Sequence, residues 1–493
     1  MPGTDVLTLS RPFLLPATLI LLAACYPALP GAGGAQPAAA TPASRWTPPE
    51  SRATGRDGLL LPDSLPLPLQ ARRTALTTGD LVSLALERSP ETRATWLTAQ
   101  SAAANYGEAR AALFPVINGT VGANRLKTAA TSGRVSVEQT TYGPSITLSW
   151  LLFDFGGRAG AIDVARNGYF AANWTHNEMV ADVVRRTIQG YFAYVGARGL
   201  LDAQRTSLQE AEVNLSASED RRTVGVATIA DVLQARTAVA QARLSMQQAE
   251  GSLASTRGAL ATLIGLPPDA SFDVDTVEAN GPVTDIAVTV DSLMTRGLLD
   301  RPDLAAERAQ VDARHAQART TRSQYLPSLA ATGSGGTLWV GGNSQNFPSY
   351  NIGLALTIPI FNGFGWEYAA RAAALTADAE SARLHSMERQ VALQVYQTYQ
   401  ELRTATQSVT TSDDLFTSAS ASVDAARARY REGVGSLLEL LTAENALAGA
   451  RAQRIVSRVQ WHTSLVQLAH DAGLLQANGA TPVRLAPTSG GNR

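Results

Sequence analysis

Two eight-residue stretches decide the fold of this chain, because each combines a chain reversal with the start of a helix. They read Val224-Gly225-Val226-Ala227-Thr228-Ile229-Ala230-Asp231 and Glu432-Gly433-Val434-Gly435-Ser436-Leu437-Leu438-Glu439. In both, a glycine that accepts a positive φ is followed by a hydroxyl residue suited to an N-cap and by an acid at the capping-box position. The two glycines lie 208 residues apart (433 − 225 = 208). Each stretch therefore predicts a tip at which one helix ends and another returns.

The same offset extends outward from the two tips. The other pairs at 208 residues are Leu152-Phe153-Asp154 with Ile360-Phe361-Asn362, Ala242-Arg243 with Ala450-Arg451, and Gly265-Leu266 with Gly473-Leu474. Pro90 matches Pro302, and Pro115 matches Pro327, at an offset of 212 (302 − 90 = 212). A four-residue change confined to one segment is what a hairpin of variable length would produce. One structural unit is therefore written twice.

Each unit has the same predicted order of elements: a helix, a β-hairpin, a very long helix, a tip turn and a returning helix. The ranges are 77–113, 116–153, 158–222 and 228–264 in the first unit (77–266), and 290–325, 328–361, 366–430 and 436–473 in the second (290–475). A linker (267–289) joins the units, and a tail (476–493) follows. Each long helix would run roughly 100 Å, about as far as two stacked short helices. The pattern predicts a mainly α, elongated bundle with strands at one end and tips at the other.

The second strand of each hairpin alternates apolar and polar residues, which places the two kinds on opposite faces. The polar positions are Ser145, Thr147, Ser149, Asn351 and Thr357. Four strands cannot close a barrel, and open edges are not tolerated in lipid. We therefore expect several copies to share one barrel with a water-filled lumen. Three chains would supply twelve strands, although counting alone does not distinguish twelve from sixteen.

Composition excludes several classes of protein. A formal net charge of −1 argues against a general nucleic-acid binder, and a single cysteine excludes a disulfide framework. No stretch after the N-terminus reaches the ~20 apolar residues of a spanning helix, which argues against a polytopic helical membrane protein. The five histidines are far apart, and no catalytic constellation stands out. The sequence therefore predicts no metal site, no catalysis and no cofactor other than a covalent lipid.

The N-terminus has the pattern of an export signal over 1–24. A short apolar run ends at Leu22-Ala23-Ala24-Cys25, which resembles the bacterial lipobox, so Cys25 is the expected lipidation site. The alternative is an ordinary signal peptide that happens to contain a cysteine. Residues 25–76 are rich in Pro and Ala and predict a lipidated tether. Tyr26 lies where an Asp would favour inner-membrane retention in such lipoproteins, so the outer membrane is favoured.

Over 77–475, the duplicated unit, the run Leu152-Phe153-Asp154-Phe155-Gly156-Gly157-Arg158 and the two tip motifs resemble the TolC-like outer-membrane efflux channels, in their lipoprotein branch. The resemblance implies a homotrimer with a shared twelve-stranded β-barrel in the outer membrane of a Gram-negative bacterium and an α-helical tunnel in the periplasm. It implies a periplasmic adaptor (membrane fusion protein) and an inner-membrane transporter as partners. The function would be a passive exit duct of a tripartite efflux (RND-type) or type I secretion system, gated at the helix tips.

The resemblance also assigns roles to individual residues. The expected adaptor contacts are Gly225, Thr228, Gly433 and Ser436, and the expected periplasmic gate residues are Asp231 and Glu439. A ring of such carboxylates would favour cations. Chain reversal and helix capping explain the same residues without a gate, so both interpretations stay open. An arginine that ties the gate shut in some relatives is replaced here by Gly435, and a second acid found in part of the family is replaced by Thr442.

Aromatic residues near the strand ends are expected to form belts at the membrane interface. They are Trp150, Trp339, Tyr350, Phe153 and Phe361. The alternative is ordinary strand packing.

Two other classes of function compete with a channel. A trimeric coiled-coil adhesin or scaffold without transport would explain long helices and export, but not two strand pairs with alternating faces. A soluble periplasmic helical enzyme would need a catalytic cluster that the sequence lacks. The sequence does not identify a transported substrate.

Overall fold

The computed structural model describes residues 41–45, 76–127, 138–270, 272–276, 288–341 and 346–475. Over these ranges the elements are α1 (Thr78–Arg88), α2 (Pro90–Ala111), β1 (Val116–Lys127), β2 (Glu138–Phe153), α3 (Gly157–Thr223), α4 (Ile229–Leu263), α5 (Val290–Asp300), α6 (Pro302–Ser323), β3 (Ser328–Val340), β4 (Asn346–Thr357), α7 (Gly365–Arg431) and α8 (Leu437–Asp471). The predicted signal peptide, Cys25, the tail and most of the tether lie outside the described residues. The predicted fold class, mainly helical with four strands, is confirmed.

The first helix of each unit is in fact two helices, so the prediction of single helices over 77–113 and 290–325 was wrong. The break in the first unit falls at Pro90, because proline lacks an N–H and its ring clashes with the preceding turn. Ser89 caps the new helix by accepting a hydrogen bond from a backbone N–H of its first turn at 3.3 Å. The second unit breaks in the same place, at Pro302.

Two strand boundaries also differ from the prediction. β2 starts at Glu138, well before the alternating stretch near 144 that the sequence marks. β4 ends at Thr357 rather than at 361. Pro359 explains the early end, because a residue without an N–H cannot extend the ladder. Phe361 therefore lies in the turn that leads into α7.

The four strands form one antiparallel sheet in the order β1-β2-β3-β4, and the central pair joins the two units. The register places Thr120 opposite Ser145, with 2.8 Å between their hydroxyl oxygens. β1 and β4 are the two edges, and within the described part of the chain each has a partner on one side only. The sheet of a single chain is therefore open at both edges.

The helices carry the chain away from the sheet and back again. α3 and α7 contain 67 residues each, which corresponds to about 100 Å. α4 and α8 return over 35 residues each. Gly265 and Gly473 follow them with φ of +74° and +71°, as expected for glycine after a helix end. The next short helices continue the return toward the sheet, so the helices form two long hairpins.

Each unit has an apolar core near the middle of its hairpin. The first core includes Leu81, Val184, Tyr191, Leu260 and Ile264, and the second includes Leu293, Val395, Leu402 and Leu468. Both cores lie level with the junction where one short helix ends and the next begins. The apolar cores therefore join the stacked short helices to the long helix beside them.

Residues 41–45 of the predicted tether pack on the helical body beside α3. Ser44 closes a turn by accepting the Thr41 N–H at 3.0 Å. Its carbonyl oxygen lies 2.9 Å from Nε2 of His176, which is fully buried, and Nδ1 of the same ring lies 3.1 Å from the Thr95 hydroxyl. Burial lowers the pKa of His176. A neutral ring that donates from Nε2 and accepts at Nδ1 satisfies both contacts.

We expect His176→Leu to release residues 41–45 from the helical body, because the Ser44 carbonyl and the Thr95 hydroxyl lose a buried partner, at about 1–3 kcal/mol. Limited trypsin digestion measures the release as faster cleavage after Arg45. His176→Gln is the control, since its amide N–H can still reach the carbonyl, and it should keep most of the protection. Equal cleavage rates in all three proteins would contradict this assignment.

A compact cluster of charges lies where α5, α6 and α8 meet α3. Nδ1 of His470 is 3.1 Å from the Asp471 carboxylate, and Nε2 is 3.3 Å from the Glu178 carboxylate. Arg301, only 7% exposed, donates to both carboxylate oxygens of Asp303 at 3.0 and 2.6 Å. Burial alone would lower the pKa of His470, but the two carboxylates outweigh it and raise the pKa to about 9. His470 is therefore a cation at neutral pH.

The helical body should lose stability as the pH rises toward about 9, because the pKa of His470 in the folded state exceeds the ordinary value of 6.5. The stabilisation is complete below pH 6.5 and disappears as the pH passes through the raised pKa. His470→Gln should remove this dependence, which is on the order of 2–3 kcal/mol, as measured by thermal unfolding between those pH values. His385→Gln, at an exposed site, is the matched control and should keep the wild-type slope.

Candidate functional site

The first tip joins α3 to α4 through Gly225, whose φ is +81°. Thr228 then caps α4 in a complete capping box. Its hydroxyl accepts the Asp231 N–H at 3.2 Å, and the Asp231 carboxylate accepts the Thr228 N–H at 2.8 Å. The carboxylate of Asp231 is therefore engaged inside its own turn.

The second tip has the same backbone but different side-chain chemistry. Gly433 has a φ of +75°, and the Ser436 hydroxyl accepts the Glu439 N–H at 3.2 Å. The Glu439 carboxylate instead pairs with Nε of Arg429 at 3.2 Å. Gly435 gives this arginine room, because a Cβ there would lie 2.9 Å from the Arg429 Cβ. The cation that the sequence lacks at 435 is supplied by the last turn of α7.

The two tips of one chain are joined by Arg221 and Tyr430. Nη1 of Arg221 donates to the Tyr430 carbonyl at 3.0 Å, and the guanidinium lies 4.6 Å from the centre of the Tyr430 ring. Ala235, Leu437 and Leu441 form a small buried cluster beside this contact. The ends of the two hairpins are thus held together by a polar contact and by apolar packing.

Sequence analysis did not single out Arg221 or Arg429. Basic residues are common in the last turn of a helix, where the carbonyl ends are partly negative. Their type and position therefore carry no signal of a tip contact. The contact becomes apparent only in the folded chain, where a second element lies beside each arginine.

Apolar side chains project from both tips. Val224, Val226, Val434 and Leu438 are 60% or more exposed. Apolar groups that protrude into water at the end of an element are typical of surfaces that another protein covers. The residues Gly225, Thr228, Gly433 and Ser436 shape the backbone on which these side chains are presented.

The two faces of the sheet differ in polarity. A shallow groove on one face is lined by hydroxyl and amide groups, including Thr120, Asn124, Ser145, Thr147, Ser334 and Ser349. The opposite face presents Val121, Ile146, Tyr350, Ile352 and Leu354, all more than half exposed. The alternation read from the sequence therefore produces one polar face and one apolar face across all four strands.

Both units turn from strand to helix through a phenylalanine with positive φ, Phe155 (+50°) and Phe364 (+66°). Arg158 holds the first corner by donating to two carbonyls at the end of β2, at 2.6 and 2.9 Å. The Asp154 carboxylate accepts the Arg158 N–H at 2.5 Å. The corner fixes the direction in which α3 leaves the sheet.

The predicted belt residues occupy different levels of the sheet. Phe153 and Phe361 lie near the corners, each edge-on to a second phenylalanine at 4.7 and 5.5 Å between ring centres. Trp150 is also near that end and donates from Nε1 to a carbonyl at 3.0 Å. Trp339 lies at the other end, stacked on a tyrosine at 6.1 Å. Tyr350 is in the middle of β4 rather than at a strand end.

None of the helices in the described part of the chain combines the length and hydropathy that a bilayer span requires. Over the same residues, no group of three or more His, Cys, Asp or Glu side chains is placed to hold a metal ion.

The fold and the site define a class of protein. A sheet with one apolar and one polar face, continued by two helical hairpins with capped tips, is a wall segment of an outer-membrane channel. A family model described as outer membrane efflux protein matches residues 81–266 and 293–474. The chain belongs to this family.

Individual relatives match over most of their length. The chain is 27% identical over 441 residues to Protein CyaE of Bordetella pertussis, covering 85% of this chain and 91% of that protein. It is 26% identical over 485 residues to the pyoverdine export outer membrane protein OpmQ of Pseudomonas putida, covering 94% and 96%. Among solved structures, the CmeC outer membrane channel of Campylobacter jejuni shares the fold, with a TM-score of 0.72 and 19% identity over 80% of this chain and 85% of that one.

Two glycine substitutions test whether the tip depends on positive φ. Gly433 has φ +75° and no heavy atom within 4 Å of an added Cβ, so Gly433→Ala should cost about 1–2 kcal/mol through backbone strain alone. Gly449, inside α8, also has open space at its Cβ. Gly449→Ala should stabilise the protein by about 1 kcal/mol. Thermal unfolding of the purified protein should show shifts of opposite sign, and a stabilising Gly433→Ala would argue against the reversal described.

Proposed function

We propose that three copies of this outer membrane efflux protein enclose a duct through which solutes leave the periplasm passively. The observation that carries the proposal is the open sheet. Its two edge strands have unpaired sides within the chain, and its apolar face is exposed over much of β4. In lipid both features are satisfied only when neighbouring copies pair their edges and close the sheet.

Strand counting is compatible with a trimer, and the resemblance to TolC-like channels selects it. Two, three or four copies would give eight, twelve or sixteen strands, all numbers found in outer-membrane barrels, and the resemblance implies twelve. With the polar face turned inward, the hydroxyl and amide side chains line water. With the apolar face turned outward, side chains such as Ile352 and Leu354 meet lipid.

The gate in this proposal is the pair of tips. Arg221 ties the end of α3 to that of α7, and Arg429 ties the end of α7 to the start of α8. Asp231 and Glu439 lie in the same turns, but a helix cap and an ion pair already engage them. In a ring of these acids, the Arg429 cation would offset the charge of Glu439, whereas the capping hydrogen bonds leave the charge of Asp231 in place.

The partners in this proposal are a periplasmic adaptor and an inner-membrane transporter. The adaptor would cover the exposed apolar side chains of the tips, including Val226 and Val434. Docking can open the duct only if the adaptor binds the open tips more tightly than the closed tips. A tripartite efflux pump and a type I secretion system would both use such a duct.

Planar-bilayer recording tests the duct and its gate together. The purified protein should conduct ions, and both Glu439→Gln and Arg429→Gln should raise its open probability, because either one breaks the same ion pair. An exposed pair contributes up to about 1 kcal/mol, so a change of about two- to fivefold is expected. The two variants change the net charge in opposite directions, so equal effects identify the pair rather than the charge.

The outcomes separate the competing functions. A folded oligomer that never conducts, even with both substitutions, would favour the adhesin or scaffold. Conduction that is unchanged in both variants would retain the duct but remove the Arg429–Glu439 pair from the gate.

A further inference from the structure

A wide band of the sheet is free of charged side chains. It comprises 116–124 of β1, 139–153 of β2, and the whole of β3 and β4, in which no Asp, Glu, Lys, Arg or His occurs. Nine residues of β1 extend about 30 Å along the strand, and at a tilt of about 35–45° they rise about 21–25 Å, close to the roughly 25 Å apolar band of an outer-membrane barrel. The uncharged band is therefore as tall as the membrane section that the proposed duct would need.

Charged groups begin where the band ends. At the hairpin end of β1 and β2, Nε of Arg125 donates to the Glu138 carboxylate at 2.7 Å, and Lys127 follows. At the corner end, Asp154 and Arg158 pair with each other and with the backbone. The band is thus bounded by charges at both ends of β1 and β2, whereas in the second unit no charged residue occurs between Arg322 and Glu367.

The register shows which side chains the polar face presents at two levels of the band. One row across the sheet consists of Asn118, Thr147, Ser334 and Asn351, and the next consists of Thr120, Ser145, Gly336 and Ser349. Residues one position away along the strands, such as Ile352, belong to the opposite face. These two rows of the polar face therefore consist of hydroxyl and amide side chains, with glycine at one position.

Hydroxyl and amide groups can both donate and accept hydrogen bonds. They can solvate a cation through oxygen and an anion through O–H or N–H, and they add no fixed charge to the lumen. Pores that select by charge instead use rings of ionised side chains. At 0.15 M salt, charges at the ends of the band are screened over about 8 Å and contribute little at its middle.

We infer that the membrane section of the duct does not discriminate between solutes by the sign of their charge. This inference rests on the proposed function, since it needs the polar face of the sheet to line a lumen. The solutes that it admits are anionic, cationic and zwitterionic alike, within the limit of size.

Cysteine labelling from the outer side tests the band, because a reagent added there reaches the band without crossing the helical tunnel. The chain has one native cysteine, Cys25, so the wild-type protein gives the background directly. Ser334→Cys places a thiol in the middle of the band, and Ile352→Cys places one on the opposite face. Each variant, reconstituted in vesicles, is treated with an anionic or a cationic methanethiosulfonate reagent, and each rate is divided by that of a free thiol.

At Ser334→Cys the two normalised rates should agree within about twofold, and their ratio should not change between 0.05 and 1 M salt. Asn124→Cys, three residues from Lys127, is a depth control and should favour the anionic reagent at low salt. Adding Ser149→Asp to Ser334→Cys shows that the assay detects charge, because it should speed the cationic reagent at least fivefold.

A rate ratio above about tenfold at Ser334→Cys that disappears in high salt would overturn the inference, because it would reveal a fixed charge in the band. Failure of the proposed function gives a different pattern. In that case Ser334→Cys would resist both reagents, or Ile352→Cys would react equally fast, because no water-filled lumen would distinguish the two faces.

Discussion

The backbone of β1 and β4 imposes the constraint on which the rest of this structure depends. Each edge strand exposes a row of N–H and C=O groups that water can satisfy but lipid cannot. One face of the same sheet is apolar, so a single chain in water would expose apolar side chains. In lipid, the same chain would leave the backbone groups of its edges without hydrogen bonds. Closure with further copies satisfies both requirements at once. It also places the polar face around an enclosed space, so that the lumen is a by-product of pairing the edges.

In the proposed assembly, the helices continue the closed sheet as a long duct. The strand-to-helix corners at Phe155 and Phe364 send α3 and α7 away from the sheet, and each then runs for 67 residues without a proline. The shorter helices fill the return path, with breaks at Pro90 and Pro302. These breaks lie far from the tips, so the apolar cores that surround them stabilise the middle of the body. The tips are held separately, by the contact between Arg221 and Tyr430 and by the buried cluster that contains Leu437.

The two halves share a backbone plan but differ in how their charged residues are paired. Asp231 closes a capping box in the first tip, whereas the equivalent Glu439 pairs with Arg429, because the longer side chain reaches out of its own turn. In the buried cluster around His470 and Arg301, these two residues belong to the second half, Glu178 joins them from α3, and the first half has Thr262 and Ser89 at the equivalent positions. Duplication therefore preserved the positions that set backbone direction. The charged residues of the tips were kept too, as Arg221 and Arg429 and as Asp231 and Glu439, but their partners differ between the two halves.

The sequence by itself determined the repeat, the order of the elements, the lengths of the long helices, the two capped tips and the polar and apolar faces of the strands. These features follow local rules, because glycine, proline, N-caps and two-residue alternation act within a few residues of themselves. The same rules, applied more strictly at Pro90, would also have placed the break between α1 and α2. Only the tertiary structure decided that Arg221 meets Tyr430, that Arg429 crosses Gly435 to reach Glu439, and that His176 holds Ser44. The first and last of these pairs join segments more than 100 residues apart, and each depends on how far one helix is rotated toward its neighbour, which the local pattern of residues leaves open.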